Sequence, residues 1–144
     1  MVQSTNLGFP RIGDMGQLKK AVEAYWKGQS SQEELLKTGA ALRSANWKLQ
    51  KDAGLAHVPS NDFSFYDQIL DLICTLGLVP SRYKWDGQDI DLDTYFAMAR
   101  GRQQGGVDVT AMEMSKWFDT NYHYIVPEFE EGMSPKLSST KIFD

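Results

Sequence analysis

Leu7-Gly8-Phe9-Pro10-Arg11-Ile12-Gly13 is short, apolar and punctuated by glycine and proline. That pattern predicts a strand that breaks into a loop, with a helix to follow. Asp14, with Gln17 three residues on, has the spacing of a capping box. Leu18, Ala21, Val22, Tyr25 and Trp26 then fall on one helical face, and Gly28 is placed to stop the helix. A second helix starts at Ser31, again with Glu34 at the spacing of the box. Leu35, Leu42 and Leu49 recur along its stripe, with Leu36, Ala45 and Ala53 beside them, and Gly54 ends it. The two helices form a helical hairpin excursion.

Beyond the hairpin, Val58-Pro59-Ser60-Asn61-Asp62-Phe63 reads as a strand end that opens into a loop. Tyr66, Ile69, Leu70 and Ile73 mark a third helix, closed by Gly77 and Pro80. Trp85-Asp86-Gly87-Gln88 is a turn, and Asp91 caps a short helix carrying Leu92, Tyr95, Phe96 and Ala99. Gly101 to Val109, with three glycines and two glutamines, reads as a flexible loop, and Thr110 to Lys116 as a strand. No final element is predicted after Pro127. The order strand, helical excursion, strand, helix, helix, strand argues for an α/β fold with parallel strands. Three strands are too few for a closed barrel, which takes about 250 residues. The chain is therefore read as the front of a larger assembly.

Bulk properties exclude several classes. An apolar share of 42% and a charged share of 24% are globular values. A formal charge of −4 and a pI near 5.1 give no footprint for nucleic acid. Met1 to Asn6 is polar, so no secretory leader is expected, and no apolar run reaches the length of a membrane span. A single cysteine, Cys74, sits in the apolar run Ile69 to Cys74 and reads as a small buried hydrophobe. With no second thiol to pair with, it fits a reducing, cytoplasmic setting.

The chemistry concentrates in Lys116-Trp117-Phe118-Asp119-Thr120-Asn121-Tyr122-His123-Tyr124-Ile125-Val126-Pro127. Stacking rings mixed with a lysine, an amide, a carboxylate and an imidazole suit a pocket for a flat, polar heteroaromatic ligand. Trp117, Phe118, Tyr122 and Tyr124 are expected mainly in core and rim packing. Asp119 and His123 stand four apart, but a lone histidine among aromatics is more often structural than an acid or base. With His57 they match no zinc spacing. Gly8 and Gly13 fit neither phosphate-loop pattern.

Leu7 to Gly13, Leu18-Lys19-Lys20, Ser60 to Phe63, Phe96 to Gly101 and Glu113 to Pro127 together resemble one family. The sequence is similar, from Leu7 to Phe129, to the N-terminal part of cobalamin-independent methionine synthase of the fungal or plant type. The resemblance implies a partial (β/α)8 TIM-type barrel holding only the N-terminal strands and helices. Residues 1–144 would then be the front portion of the folate-side barrel. Zinc and homocysteine would belong to a C-terminal barrel absent from this chain, and no cobalamin is involved. The implied reaction moves a methyl group from 5-methyltetrahydropteroyltriglutamate to homocysteine. This chain alone is expected to be inactive.

The resemblance also bears on individual residues. Lys19 in a first helical turn would ordinarily be a solvated lysine. A helix N-terminus attracts anions, however, and Lys19 matches the family's folate-contacting lysine. Asn121 carries the donors and acceptor that a pterin edge demands, and the resemblance makes it a folate contact. Lys116 matches another lysine linked to the folate site. Gly16-Gln17 departs from the Arg-Glu usual in the family and removes one cation. The alternative is a catalytically inactive short relative, acting as a binding or self-associating module.

Overall fold

The computed structural model describes residues 2–104 and 107–137. The chain divides into two compact units, Met1–Phe65 and Tyr66–Asp144.

The first unit is built on two helices that pack together, α1 (Gln17–Trp26) and α2 (Gln32–Asp52). The predicted Ser31 box is present. Its side chain accepts from the Glu34 N–H, while Glu34 accepts from the Ser31 N–H at 2.8 Å. Leu18, Val22 and Leu35 are buried, whereas Leu49, at the far end of the predicted stripe, is 56% exposed. Phe63 and Phe65 meet edge to face, with centroids 5.5 Å apart, and Phe65 lies against Gly39 of α2.

The predicted box at Asp14 does not form. The α1 N-cap is Gly16, at φ 69°, with no capping side chain. Gln17 instead donates its amide to Asp14 at 2.8 Å and accepts from the Met15 N–H at 3.0 Å. Glycine reaches this left-handed conformation at little cost, so the helix starts two residues later than the box requires.

Leu7 to Gly13 is not a strand. Pro10 has no N–H to donate, Gly13 has φ 84°, and no strand among the described residues pairs with it. Its polar groups are tied down by side chains instead. The Phe9 N–H donates to Asp62 at 2.7 Å, and Asn46 donates to the Pro10 carbonyl at 3.3 Å. The expected strand at Val58 reduces to an isolated parallel bridge between Thr5 and His57.

The second unit holds α3 (Gln68–Thr75), a 3-10 turn (Ser81–Tyr83), α4 (Leu92–Arg100) and two hairpins. Strand β1 (Arg102–Gln104) pairs with β2 (Val107–Val109), and β3 (Met114–Lys116) pairs with β4 (His123–Ile125). Both ladders are antiparallel, which corrects the parallel arrangement expected from the element order. The chain reverses within a few residues in each case, and only an antiparallel partner can be reached that way. The segment expected as a flexible loop carries the first hairpin; residues 105 and 106 lie outside the described residues. The core includes Leu70, Ile73, Cys74, Leu92, Tyr95, Met98, Met112 and Ile125. Asp91 caps α4 as predicted, accepting from the Thr94 N–H at 2.7 Å.

Glycine stops end α1, α2 and α3 in one manner. Gly28, Gly54 and Gly77 all have positive φ. Each glycine N–H bonds back three residues, and the next N–H bonds back five: Gln29 to Ala24, Leu55 to Gln50 and Leu78 to Ile73. This is the Schellman arrangement, which satisfies carbonyls the helix leaves open.

From Pro127 to residue 137 no element forms, and the stretch is fastened to the 3-10 turn. Arg82 makes a two-pronged ion pair with Glu128, its second nitrogen at 2.7 Å, and Glu130 accepts from the Ser81 N–H at 3.1 Å. The described chain thus combines helices with small sheets, an α/β content; its ladders are short hairpins.

Candidate functional site

The β3–β4 hairpin carries the aromatic motif. Met114, Ser115 and Lys116 pair with Ile125, Tyr124 and His123. The Trp117 N–H donates to the Tyr122 carbonyl at 2.8 Å and closes the connecting loop. Inside it, Thr120 bonds to the Trp117 carbonyl through its N–H, at 3.3 Å, and through its hydroxyl. Phe118 takes a left-handed φ of 51°, uncommon for a residue with a Cβ. Trp117 packs edge to face between Phe118 and Tyr124, with centroids 5.3 and 5.5 Å away.

These rings are less buried than core packing requires. Phe118 is 83% exposed and Trp117 44%. The expectation of core and rim packing holds for half-buried Tyr124 but fails for Phe118. The physical reason is the loop itself. Six residues turned back on their own hydrogen bonds cannot bring every ring against the interior.

Lys116 and Asn121 both lie on this hairpin, Lys116 opposite His123 on the ladder and Asn121 inside the connecting loop. One precedes Trp117 and the other precedes Tyr122, so they flank the same backbone hydrogen bond. Both are exposed. Among the described residues no ion pair to Lys116 and no side-chain hydrogen bond from Asn121 is formed. Asp119 and His123 do not act as a pair; His123 contacts the Asn121 carbonyl at 3.1 Å through Nδ1.

Lys19 belongs to the first unit, in the first turn of α1. Its ammonium is 4.0 Å from Glu23 one turn on, an exposed pair worth little in water.

Beneath the hairpin sits a residue that sequence reading missed. Asp67, 1% exposed, caps α3 by accepting from the Leu70 N–H at 2.9 Å. The same oxygen accepts from the Ile125 N–H at 3.1 Å, and the other accepts from the Tyr122 hydroxyl. The signal was the cap: Asp67 with Leu70 three residues on, ahead of an apolar helix. The hairpin partners are 55 and 58 residues away and carry no local signal.

Among the described residues no three His, Cys, Asp or Glu side chains come together as a metal ion needs. Cys74 is buried as expected. Burial, with help from the Asp71 charge, pushes its thiol well above the usual range and leaves it inert. No helix among the described residues is long and apolar enough to cross a membrane.

The comparisons with known proteins are consistent along the chain. The profile of a family described as "Cobalamin-independent synthase, N-terminal domain" matches residues 3–144. A protein of Salinibacter ruber named 5-methyltetrahydropteroyltriglutamate–homocysteine methyltransferase is 55% identical over 149 residues, covering 100% of this chain and 19% of that protein. One of the same name from Flavobacterium johnsoniae is 55% identical over 144 residues, 99% of this chain and 19% of its own length. A third, from Cytophaga hutchinsonii, is 60% identical over 129 residues, 88% of this chain and 17% of its own. The chain thus spans about a fifth of the length of these relatives.

Proposed function

This chain belongs to the family described as the N-terminal domain of cobalamin-independent synthase, and from that premise we propose that it helps hold the folate in a methyltransferase. The reaction moves a methyl group from 5-methyltetrahydropteroyltriglutamate to homocysteine, giving methionine, in the cytoplasm. The chain is the front of a folate-side barrel of the (β/α)8 type. Zinc and homocysteine are bound by a C-terminal barrel elsewhere in the polypeptide, so this segment supplies neither metal nor nucleophile.

The observation that supports the folate role is that Lys116 and Asn121 share one exposed hairpin, each next to a residue that closes its loop, with their polar heads unengaged among the described residues. An amide offers a pterin edge both donor and acceptor. A lysine offers a mobile cation for a carboxylate, and Lys19 offers another near a helix N-terminus. Methyl transfer between two bound reactants depends chiefly on orientation, and these residues supply orientation.

Titration with 5-methyltetrahydropteroyltriglutamate, followed by tryptophan fluorescence, tests the reading. Asn121→Ala and Lys116→Ala are each expected to weaken binding about tenfold, a loss of about 1.4 kcal/mol. Binding that ignores both substitutions removes the site assignment. Methyl transfer by the isolated chain would overturn its assignment as a non-catalytic wall.

A second reading rests on the 83% exposure of Phe118 beside Trp117. Exposed aromatic surface favours association, and a self-associating module would use this tip. Sedimentation equilibrium separates the two, since Phe118→Ser would then release monomer.

A further inference from the structure

A cap for α3 needs only one acceptor, and serine, threonine or asparagine serves as well as aspartate. Asp67 does more than cap. Its carboxylate receives three donors, and two of them, the Tyr122 hydroxyl and the Ile125 N–H, come from β4 and the loop before it. Tyr122 follows Asn121 directly, and its carbonyl accepts the hydrogen bond from Trp117, the residue after Lys116. The buried carboxylate therefore holds Tyr122, which adjoins Asn121 and is bonded to the neighbour of Lys116.

We infer that Asp67 is a positioning residue, its carboxylate clamping Tyr122 and Ile125 to the N-terminus of α3 and so fixing where Asn121 and Lys116 stand. The inference rests on the folate reading for its ligand; the clamp itself is independent of it. Charge-assisted hydrogen bonds are short and directional. Made from a buried carboxylate, they leave the loop little freedom to pivot. An oriented amide discriminates between ligand edges; a pivoting one does not.

Two variants keep the fold while removing the clamp. Tyr122→Phe keeps the ring and loses only the hydroxyl. Asp67→Ser keeps a cap for Leu70 but no longer reaches Tyr122. In both, the Trp117 N–H is expected to exchange with solvent about tenfold faster, while the Met112 N–H, bonded to the Met98 carbonyl in the core, keeps its protection. Unchanged exchange at Trp117 in both variants overturns the clamp.

The ligand arm uses 5-methyltetrahydropteroyltriglutamate. Tyr122→Phe is expected to raise its dissociation constant about tenfold in the otherwise unaltered chain and to have no further effect once Asn121→Ala and Lys116→Ala are both present. A merely structural tyrosine would give additive losses instead, and additivity overturns the positioning role. If the unaltered chain does not bind the folate, the folate reading falls, and the clamp is decided by Trp117 exchange alone.

Discussion

Tyr95 donates its phenolic hydrogen to Asp71 at 2.7 Å, and both side chains are buried within the second unit. The Tyr95 oxygen also accepts from the Tyr66 N–H at 3.1 Å, so one hydroxyl joins α4, α3 and the residue before Asp67. Tyr95→Phe keeps the ring but strips this donor from a buried carboxylate. Hydrogen bonds to charged groups contribute about 1.5–3 kcal/mol. A loss of about 2 kcal/mol in urea unfolding is expected; a change below about 0.5 kcal/mol would show that the bond adds no net stability.

The same tyrosine sets an alkaline limit. Burial first, and the Asp71 charge next, push Tyr95 well above its ordinary value of 10.0, and burial raises Cys74 above 9.0. The unfolded chain releases these protons at the ordinary values while the folded chain keeps them. Stability is therefore complete below about pH 9 and falls as pH rises beyond it. Cys74→Ala should delay the onset of that fall in a stability-against-pH series.

At acid pH the Arg82–Glu128 pair contributes. Hydrogen bonding from Arg82 holds Glu128 below its ordinary 4.5. A lowered carboxylate contributes stability above that value, and the contribution is lost as pH falls through the folded value. Glu128→Gln should flatten the acid limb of the stability profile while lowering stability at pH 7. A variant with an unchanged acid limb would assign the limb to other carboxylates.

Gly39 presses on the first unit's aromatic pair. A Cβ added there would stand 2.8 Å from Phe65 Cζ and 2.9 Å from Cε1. Alanine gains about 1 kcal/mol in helix propensity, but overpacking costs about 1–3 kcal/mol. Phe65 is buried and held by Phe63, so the clash should win. Gly39→Ala is expected to destabilise by about 1 kcal/mol in urea unfolding, and a stabilised variant would show that the ring moves freely.

Lys19 can be separated from the hairpin residues by ligand length. If it meets the polyglutamate tail, Lys19→Ala weakens the triglutamate about fivefold and leaves the monoglutamate unchanged, and the loss shrinks at high salt. Equal losses for both ligands would move Lys19 away from the tail.

Most local signals in the sequence held where hydrogen bonds are local; the Asp14 box, displaced by the Gly16 cap, did not. Ser31 with Glu34, Asp91 with Thr94, and the stops at Gly28, Gly54 and Gly77 join partners within one or two turns, so spacing alone reveals them. Lys116 and Asn121 were legible as residue types in an aromatic segment. Their placement on either side of one loop closure was not, because it needs the β3–β4 register.

The sequence by itself determined the helices and most of their ends and the buried cysteine, through residue types at fixed short spacings, and its resemblance pointed to the family. Tertiary structure alone decided three things: that Leu7 to Gly13 is a fastened loop, that the ladders are antiparallel, and that Asp67 lies beneath the hairpin. Each depends on partners far along the chain, and a hydrogen bond between distant residues leaves no periodicity in the sequence that makes it.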